Sequence, residues 1–172
     1  MLPSIEGGAR AGTPVQNGYI LLAEDDELFR ETLALILAET GYAVLQAADC
    51  DQGWDLFRRY PVLAVITDNA MGHGSASLGA GLRLARRVKR QSPGTPVVML
   101  TALPPAAATT VCDAVLTKPA EVEDLLGALQ RLGVGTPAAG LPLPAAPIPT
   151  GMSAALSSPD GIPQPPGAPG AR

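Results

Sequence analysis

The chain has 172 residues, a length that favours one domain with flanking segments over two domains. Hydrophobic residues make up 47% and aromatic residues only 3%, so a core has to be built from Leu, Val, Ile and Ala. The net charge of −4 argues against nucleic acid as a partner of the whole chain, because binding phosphate backbones needs concentrated positive charge.

Residues 1–18 are rich in Gly, Pro and polar residues without periodicity and are expected to be a disordered lead. They contain Glu6 and no apolar run, which is unlike a signal peptide. No stretch of the chain approaches the roughly 18 apolar residues needed to span a bilayer, so no membrane partner is expected and the predicted location is the cytoplasm. Tyr19–Ala23 reads as an apolar strand. Asp26 or its neighbours can cap the helix that follows. Phe29, Leu33, Ile36 and Leu37 recur at helical spacing and predict an amphipathic helix over about Glu27–Thr40, closed by Gly41. Tyr42–Ala47 is a second strand. Asp49 reads as the cap of a second helix that buries Trp54 and Phe57 and stops at about Tyr60, before Pro61.

Val62–Thr67 is a β-branched, apolar third strand that ends in Asp68. Met71–Ala80 is a loop rich in Gly, Ser and Ala, and its His73 reads as a solvated loop histidine. Gly81–Gln91 is a third helix with Leu84, Ala85 and Val88 inward. Arg83, Arg86, Arg87, Lys89 and Arg90 on its other sides read as a solvated face, since no aromatic residue is interleaved. Pro96–Leu100 is a fourth strand. Pro104-Pro105 and the Ala-Thr run after them leave room for only a short helix before a strand at about Asp113–Leu116. Glu121–Leu132 is the last helix, with Val122, Leu125, Leu126 and Leu129 as its apolar stripe. Residues 134–172 hold one acid, Asp160, and one base, Arg172, among Pro, Ala and Gly, and read as a disordered, partly polyproline-II tail. Cys50 and Cys112 match no metal or redox spacing and read as free thiols.

Strand and helix alternate about five times, which implies a parallel sheet covered on both faces with right-handed crossovers. Reactive residues then stand at the carboxyl ends of four strands: Glu24-Asp25-Asp26, Asp68, Thr101 and Lys118. Ligands of open parallel sheets bind outside those ends. Carboxylates sharing a cleft repel one another unless a cation joins them. Glu24, Asp25 and Asp68 offer hard oxygens of the kind Mg²⁺ prefers, with room for a phosphoryl group in its shell. A carboxylate can also attack phosphorus and form an acyl phosphate. Lys118 and Thr101 are placed to neutralise the oxygens of the group transferred.

The stretches Ile20-Leu21-Leu22-Ala23-Glu24-Asp25-Asp26, Ile66-Thr67-Asp68-Asn69-Ala70-Met71, Val98-Met99-Leu100-Thr101-Ala102 and Leu116-Thr117-Lys118-Pro119 resemble the receiver domain of two-component response regulators, single-domain chemotaxis receivers included. The resemblance spans about Tyr19–Gly133. It implies a flavodoxin-like, doubly wound, five-stranded parallel sheet of order 2-1-3-4-5. By the same resemblance Asp68 is the phosphoacceptor in a Mg²⁺-dependent phosphorelay. Its donor would be a phosphohistidine on a sensor histidine kinase or a histidine phosphotransfer protein. Asp25 would hold Mg²⁺ directly and Glu24 through water, with the Ala70 carbonyl completing the protein's share of the metal shell. Lys118 would pair with a phosphoryl oxygen, and the Thr101 hydroxyl and Ala102 amide would donate to the phosphoryl group.

Four departures from the family pattern stand out. Met71 is followed by Gly72 rather than Pro, the loop up to Gly81 is several residues longer, and the segment from Thr101 to Lys118 is shorter, which trims the fourth helix. Val115 replaces the aromatic switch found three residues before the lysine in many members. The expected function is a single-domain response regulator that signals by protein–protein contact, with no room after Leu132 for an output module. Two other readings stay open. One is a phosphorylation-independent pseudo-receiver acting as an interaction module. The other is an enzyme with an aspartyl-phosphate intermediate, which would show a second acid two residues beyond the nucleophile, where Ala70 stands; the expectation is therefore not an enzyme.

Overall fold

A computed structural model describes residues 17–72 and 78–135. His73 and nearly all of the lead and tail segments lie outside the described residues. Strands and helices alternate as β1 (Tyr19–Ala23), α1 (Glu27–Glu39), β2 (Val44–Ala47), α2 (Cys50–Arg59), β3 (Val62–Thr67), α3 (Ala80–Gln91), β4 (Val97–Thr101), α4 (Ala108–Val111), β5 (Ala114–Thr117) and α5 (Val122–Arg131). The strands form one parallel sheet in the order β2-β1-β3-β4-β5. This is the flavodoxin-like arrangement expected from the sequence, with α4 cut to a single turn.

The strands are apolar nearly throughout because both faces of the sheet are covered. Their side chains alternate between two cores. Leu21, Ala23, Val65, Val97 and Met99 point to a core shared with α2, α3 and α4. Ile20, Leu22, Ala64, Ile66, Val98 and Leu100 point to a second core under α1 and α5. The starts of α1 and α2 are set by short polar residues. Asp26 accepts the Phe29 amide at 2.9 Å to begin α1, and Asp49 accepts the Gln52 amide at 2.7 Å to begin α2. The Gln52 side chain in turn accepts the Ala48 amide at 2.6 Å, so the start of α2 is fixed from both sides.

Three sequence expectations are corrected. β2 begins at Val44 rather than Tyr42, because the Tyr42 amide closes the end of α1 by donating to the Leu37 carbonyl at 3.0 Å. Asp113 lies before β5, where its carboxylate accepts the Val97 amide at 2.7 Å. The basic side of α3 is not uniformly solvated. Arg87 pairs with Asp51 at 3.1 Å and covers the Trp54 ring at 4.5 Å, while Lys89 pairs with Asp113 at 2.6 Å.

Gly81 is where α3 meets the end of β3. A Cβ there would stand 1.8 Å from the Asp68 carbonyl oxygen and 2.9 Å from the Asn69 Cα. Both obstacles are backbone, which cannot rotate away. Gly81→Ala is therefore expected to push α3 off the sheet edge and cost about 1–3 kcal/mol, in the range of overpacked cores. Urea denaturation measures this, and a midpoint equal to wild type would contradict the close approach.

Candidate functional site

Five residues at the carboxyl edge of the sheet are delivered by four strands. Glu24 and Asp25 follow β1, Asp68 follows β3, Thr101 ends β4 and Lys118 follows β5. β1 and β3 are neighbours although β2 separates them in sequence, so the chain leaves them in opposite directions and opens a crevice between them. Glu24, Asp25 and Asp68 each point an oxygen into this crevice, and the three oxygens lie within 4.8 Å of one another.

Glu24 is buried, at 3% exposure, whereas Asp25 is exposed and Asp68 is half-buried. The Lys118 ammonium bridges the two inner acids, 2.6 Å from Glu24 Oε2 and 3.1 Å from Asp68 Oδ2. Backbone amides hold one oxygen of each acid. Asn69 and Ala70 both donate to Asp68 Oδ1, Gly72 donates to Asp25 Oδ2 at 2.9 Å, and Asp26 donates to Glu24 Oε1 at 3.3 Å. Arg30 donates to the Glu24 carbonyl at 2.7 Å. Asp68 is thus fixed from one side by amides and faces Lys118 with its other oxygen.

Burial pushes the Glu24 carboxyl above the usual carboxylate range, against the pull of the Lys118 hydrogen bond and charge. For Lys118, burial works against the ammonium, but the hydrogen bonds and charges of Glu24 and Asp68 outweigh it and raise its pKa. The lysine therefore stays charged at neutral pH and serves as the cation that these carboxylates require. A crevice of hard oxygens that already gathers positive charge fits a divalent cation such as Mg²⁺.

The sequence-selected acids and Lys118 come together as expected. Thr101 is buried at the same edge, at 2% exposure, with its carbonyl accepting the Lys118 amide at 3.0 Å. Ala102 is exposed at the start of the next loop. Ala70 meets Asp68 through its amide N–H. Sequence reasoning missed Phe29, assigned to the buried stripe of α1. Its side chain is 37% exposed, and its ring lies under Lys118, with the Nζ 4.3 Å from the ring centroid. The Gly72 amide was missed too, although the sequence held the signal: proline, the family's usual residue there, has no N–H to give Asp25.

The sequence profile of the response regulator receiver domain matches residues 20–130. The transcriptional regulatory protein GlrR of Escherichia coli is 32% identical over 116 residues, which cover 64% of this chain and 25% of GlrR. The response regulator receiver protein CpdR of Brucella abortus is 28% identical over 118 residues, covering 66% of this chain and 94% of CpdR. A response regulator protein from Burkholderia pseudomallei, solved with a phosphorylated aspartic acid, calcium ion and citrate, superposes with a TM-score of 0.58 at 30% identity. That match covers 67% of this chain and 68% of the solved one. The chain therefore spans about a quarter of the length of GlrR and most of CpdR.

The bridge through Lys118 sets a test by pH. In Lys118→Met, Glu24 keeps its burial and loses its cation, so its folded-state pKa rises further above the unfolded value. A raised carboxyl pKa destabilises the fold above that value and not below the unfolded one. The variant should lose about 1–3 kcal/mol at pH 7, the cost of a buried charge left unpaired. The deficit should shrink as pH falls through the Glu24 titration. Urea unfolding at pH 7 and pH 4.5 measures both, and a deficit independent of pH would contradict the assignment.

Proposed function

Because this chain belongs to the response regulator receiver domain family, we propose that Asp68 accepts a phosphoryl group from the phosphohistidine of a sensor histidine kinase or a histidine phosphotransfer protein. The observation that carries the reading is Lys118 held between Glu24 and Asp68 at the carboxyl ends of the central strands. The Asp68 carboxylate attacks phosphorus, the P–N bond to the donor imidazole breaks, and the imidazole keeps the electron pair and takes up a proton from water. The product on this chain is an acyl phosphate. Amides of Asn69 and Ala70 orient the attacking carboxylate. Lys118 moves its ammonium from Asp68 to a phosphoryl oxygen, and the Thr101 hydroxyl and Ala102 amide donate to the others. Glu24, Asp25, Asp68 and the Ala70 carbonyl would hold Mg²⁺, which supplies charge neutralisation on the phosphoryl oxygens. The phosphorylated aspartic acid and bound calcium of the B. pseudomallei relative support this assignment.

The product is a signal carried by protein contact, so the chain works as a signalling module in the cytoplasm rather than as an enzyme with a turnover of its own. Among the described residues no helix is long and apolar enough to cross a membrane. The second reading, a phosphorylation-independent interaction module, is favoured by two observations. α4 is only four residues long, and Val115, in place of the family's aromatic switch, packs against the core.

Incubation with Mg²⁺ and acetyl phosphate, followed by intact-mass measurement, separates the two. One phosphoryl adduct is expected, absent from Asp68→Asn and absent without Mg²⁺. An unmodified wild-type chain that also fails to bind Mg²⁺ in a titration would leave the interaction module as the reading.

The lifetime of the adduct is a further expectation. The side chains two positions beyond Asp68 and Thr101 are Ala70 and Leu103, and Leu103 is 78% exposed. Neither carries a polar group to orient an attacking water. Loss of the phosphoryl group should therefore be slow, and Ala70→Asn or Leu103→Lys should change its rate. A fast decay that neither substitution alters would sink this view.

A further inference from the structure

We propose that Phe29 is a positioning residue for Lys118: its ring face holds the ammonium at the mouth of the crevice through a cation–π contact while leaving that charge free for a phosphoryl oxygen. The inference rests on the reading of Lys118 as the phosphoryl partner at Asp68.

The Nζ of Lys118 lies 4.3 Å from the Phe29 ring centroid, well inside the roughly 6 Å limit for such contacts. Two carboxylates occupy two of the three donors of this ammonium. The ring covers a further side, and the lysine side chain is left only 21% exposed. A partly desolvated ammonium is the setting in which a ring quadrupole attracts most strongly.

The backbone that carries the ring is held in place. Phe29 lies in the first turn of α1, and its own amide donates to the Asp26 side chain that starts the helix. Asp26 is the next residue after Asp25, so the cap that begins α1 ties the backbone of Phe29 to that of the acid pair in one short unit. Phe29 also lines an apolar cavity with Leu33, Ile36, Leu100 and Leu125.

The chemistry explains why a ring suits this place. To serve a phosphoryl group, the ammonium has to give up part of its hold on the carboxylates. A lysine stem has four rotatable carbons and strong hydration, so an ammonium drawn off Glu24 is otherwise lost to water. A carboxylate in place of the ring would keep the ammonium near but compete with the phosphoryl oxygens for it. The ring attracts the charge without neutralising it and accepts no strong hydrogen bond.

Fluorination tests this with the full chain. Phenylalanine carrying one, two or three ring fluorines keeps its shape closely while its face loses negative potential in steps. With acetyl phosphate as donor, no partner protein has to dock, so the rate of Asp68 modification reports the site alone. The rate should fall stepwise along the series, to about threefold to tenfold below wild type at the end. Phe29→Leu should lie as low, and Phe29→Tyr should restore the rate. Each variant is assayed under conditions where its urea curve shows it fully folded, which separates positioning from folding. A flat series, or Phe29→Leu at the wild-type rate, would overturn the proposal. The Lys118 ε-methylene proton shifts give a second readout: ring current should move them upfield in wild type and not in Phe29→Leu. If wild type takes no phosphoryl group, the functional reading fails by itself, and the proton shifts still decide where the ammonium is held. Shifts equal in the two proteins would then overturn the contact.

Discussion

The structure turns on the bridge from Lys118 to Glu24 and Asp68. A buried carboxylate at 3% exposure and a half-buried one a few ångströms away cannot both remain charged in a fold without a cation between them. That cation comes from the far side of the sheet. β5 pairs with β4, β4 with β3 and β3 with β1, so Lys118 stands two strands from Asp68 and three from Glu24. At about 4.8 Å between strands, the separation is roughly 10 and 14 Å. The lysine stem reaches across this gap, with its Nζ 2.6 Å from Glu24 and 3.1 Å from Asp68. The edge strand is thereby tied to the centre of the sheet by charge as well as by its ladder to β4.

Much of this was legible in the sequence, for physical reasons that differ by residue. Alternate residues of Ile20-Leu21-Leu22-Ala23 enter opposite cores, and a run apolar on both faces is what a central parallel strand has to be. Asp68 was legible because a carboxylate ending such a run has no role in the strand itself. Asp49 and Gly41 were legible because caps depend on local backbone chemistry. The misses have a common cause. Periodicity assigns a residue to a side of its helix but does not say what stands opposite. Phe29 falls on the apolar stripe of α1, yet its position in the first turn puts it at the edge of the sheet, where the neighbour is Lys118 rather than Leu. Arg87 and Lys89 fall on the polar side of α3, yet Asp51, Trp54 and Asp113 face them from α2 and from the loop before β5.

Lys89 shows how the short fourth helix is accommodated. Its ammonium pairs with Asp113 and also donates to the carbonyl of Thr95 at 2.8 Å and that of Pro93 at 3.3 Å. Asp113 in turn accepts the Val97 amide. The end of α3, the start of β4 and the start of β5 are thus clamped at one point. Ala108 and Cys112, both buried, close the core above it, and burial pushes the Cys112 thiol up to about 11, which keeps it neutral and apolar in behaviour. One helical turn therefore suffices as a cover, because the clamp supplies the anchoring that a longer helix would give by area.

A clamp of this kind limits how a change at Asp68 can travel. Val115 packs against the core and has no polar end, so its position offers no side chain that trades hydrogen-bond partners as an aromatic hydroxyl could. The routes that remain begin at groups already touching the site. On the β4 side this is Thr101, whose carbonyl accepts the Lys118 amide. On the β3 side the route is shorter still. The Gly72 amide is bonded directly to the Asp25 carboxylate, at a backbone φ of 99° that glycine adopts without strain. The residue at which this chain departs from the family's proline is therefore bonded directly to the acid cluster.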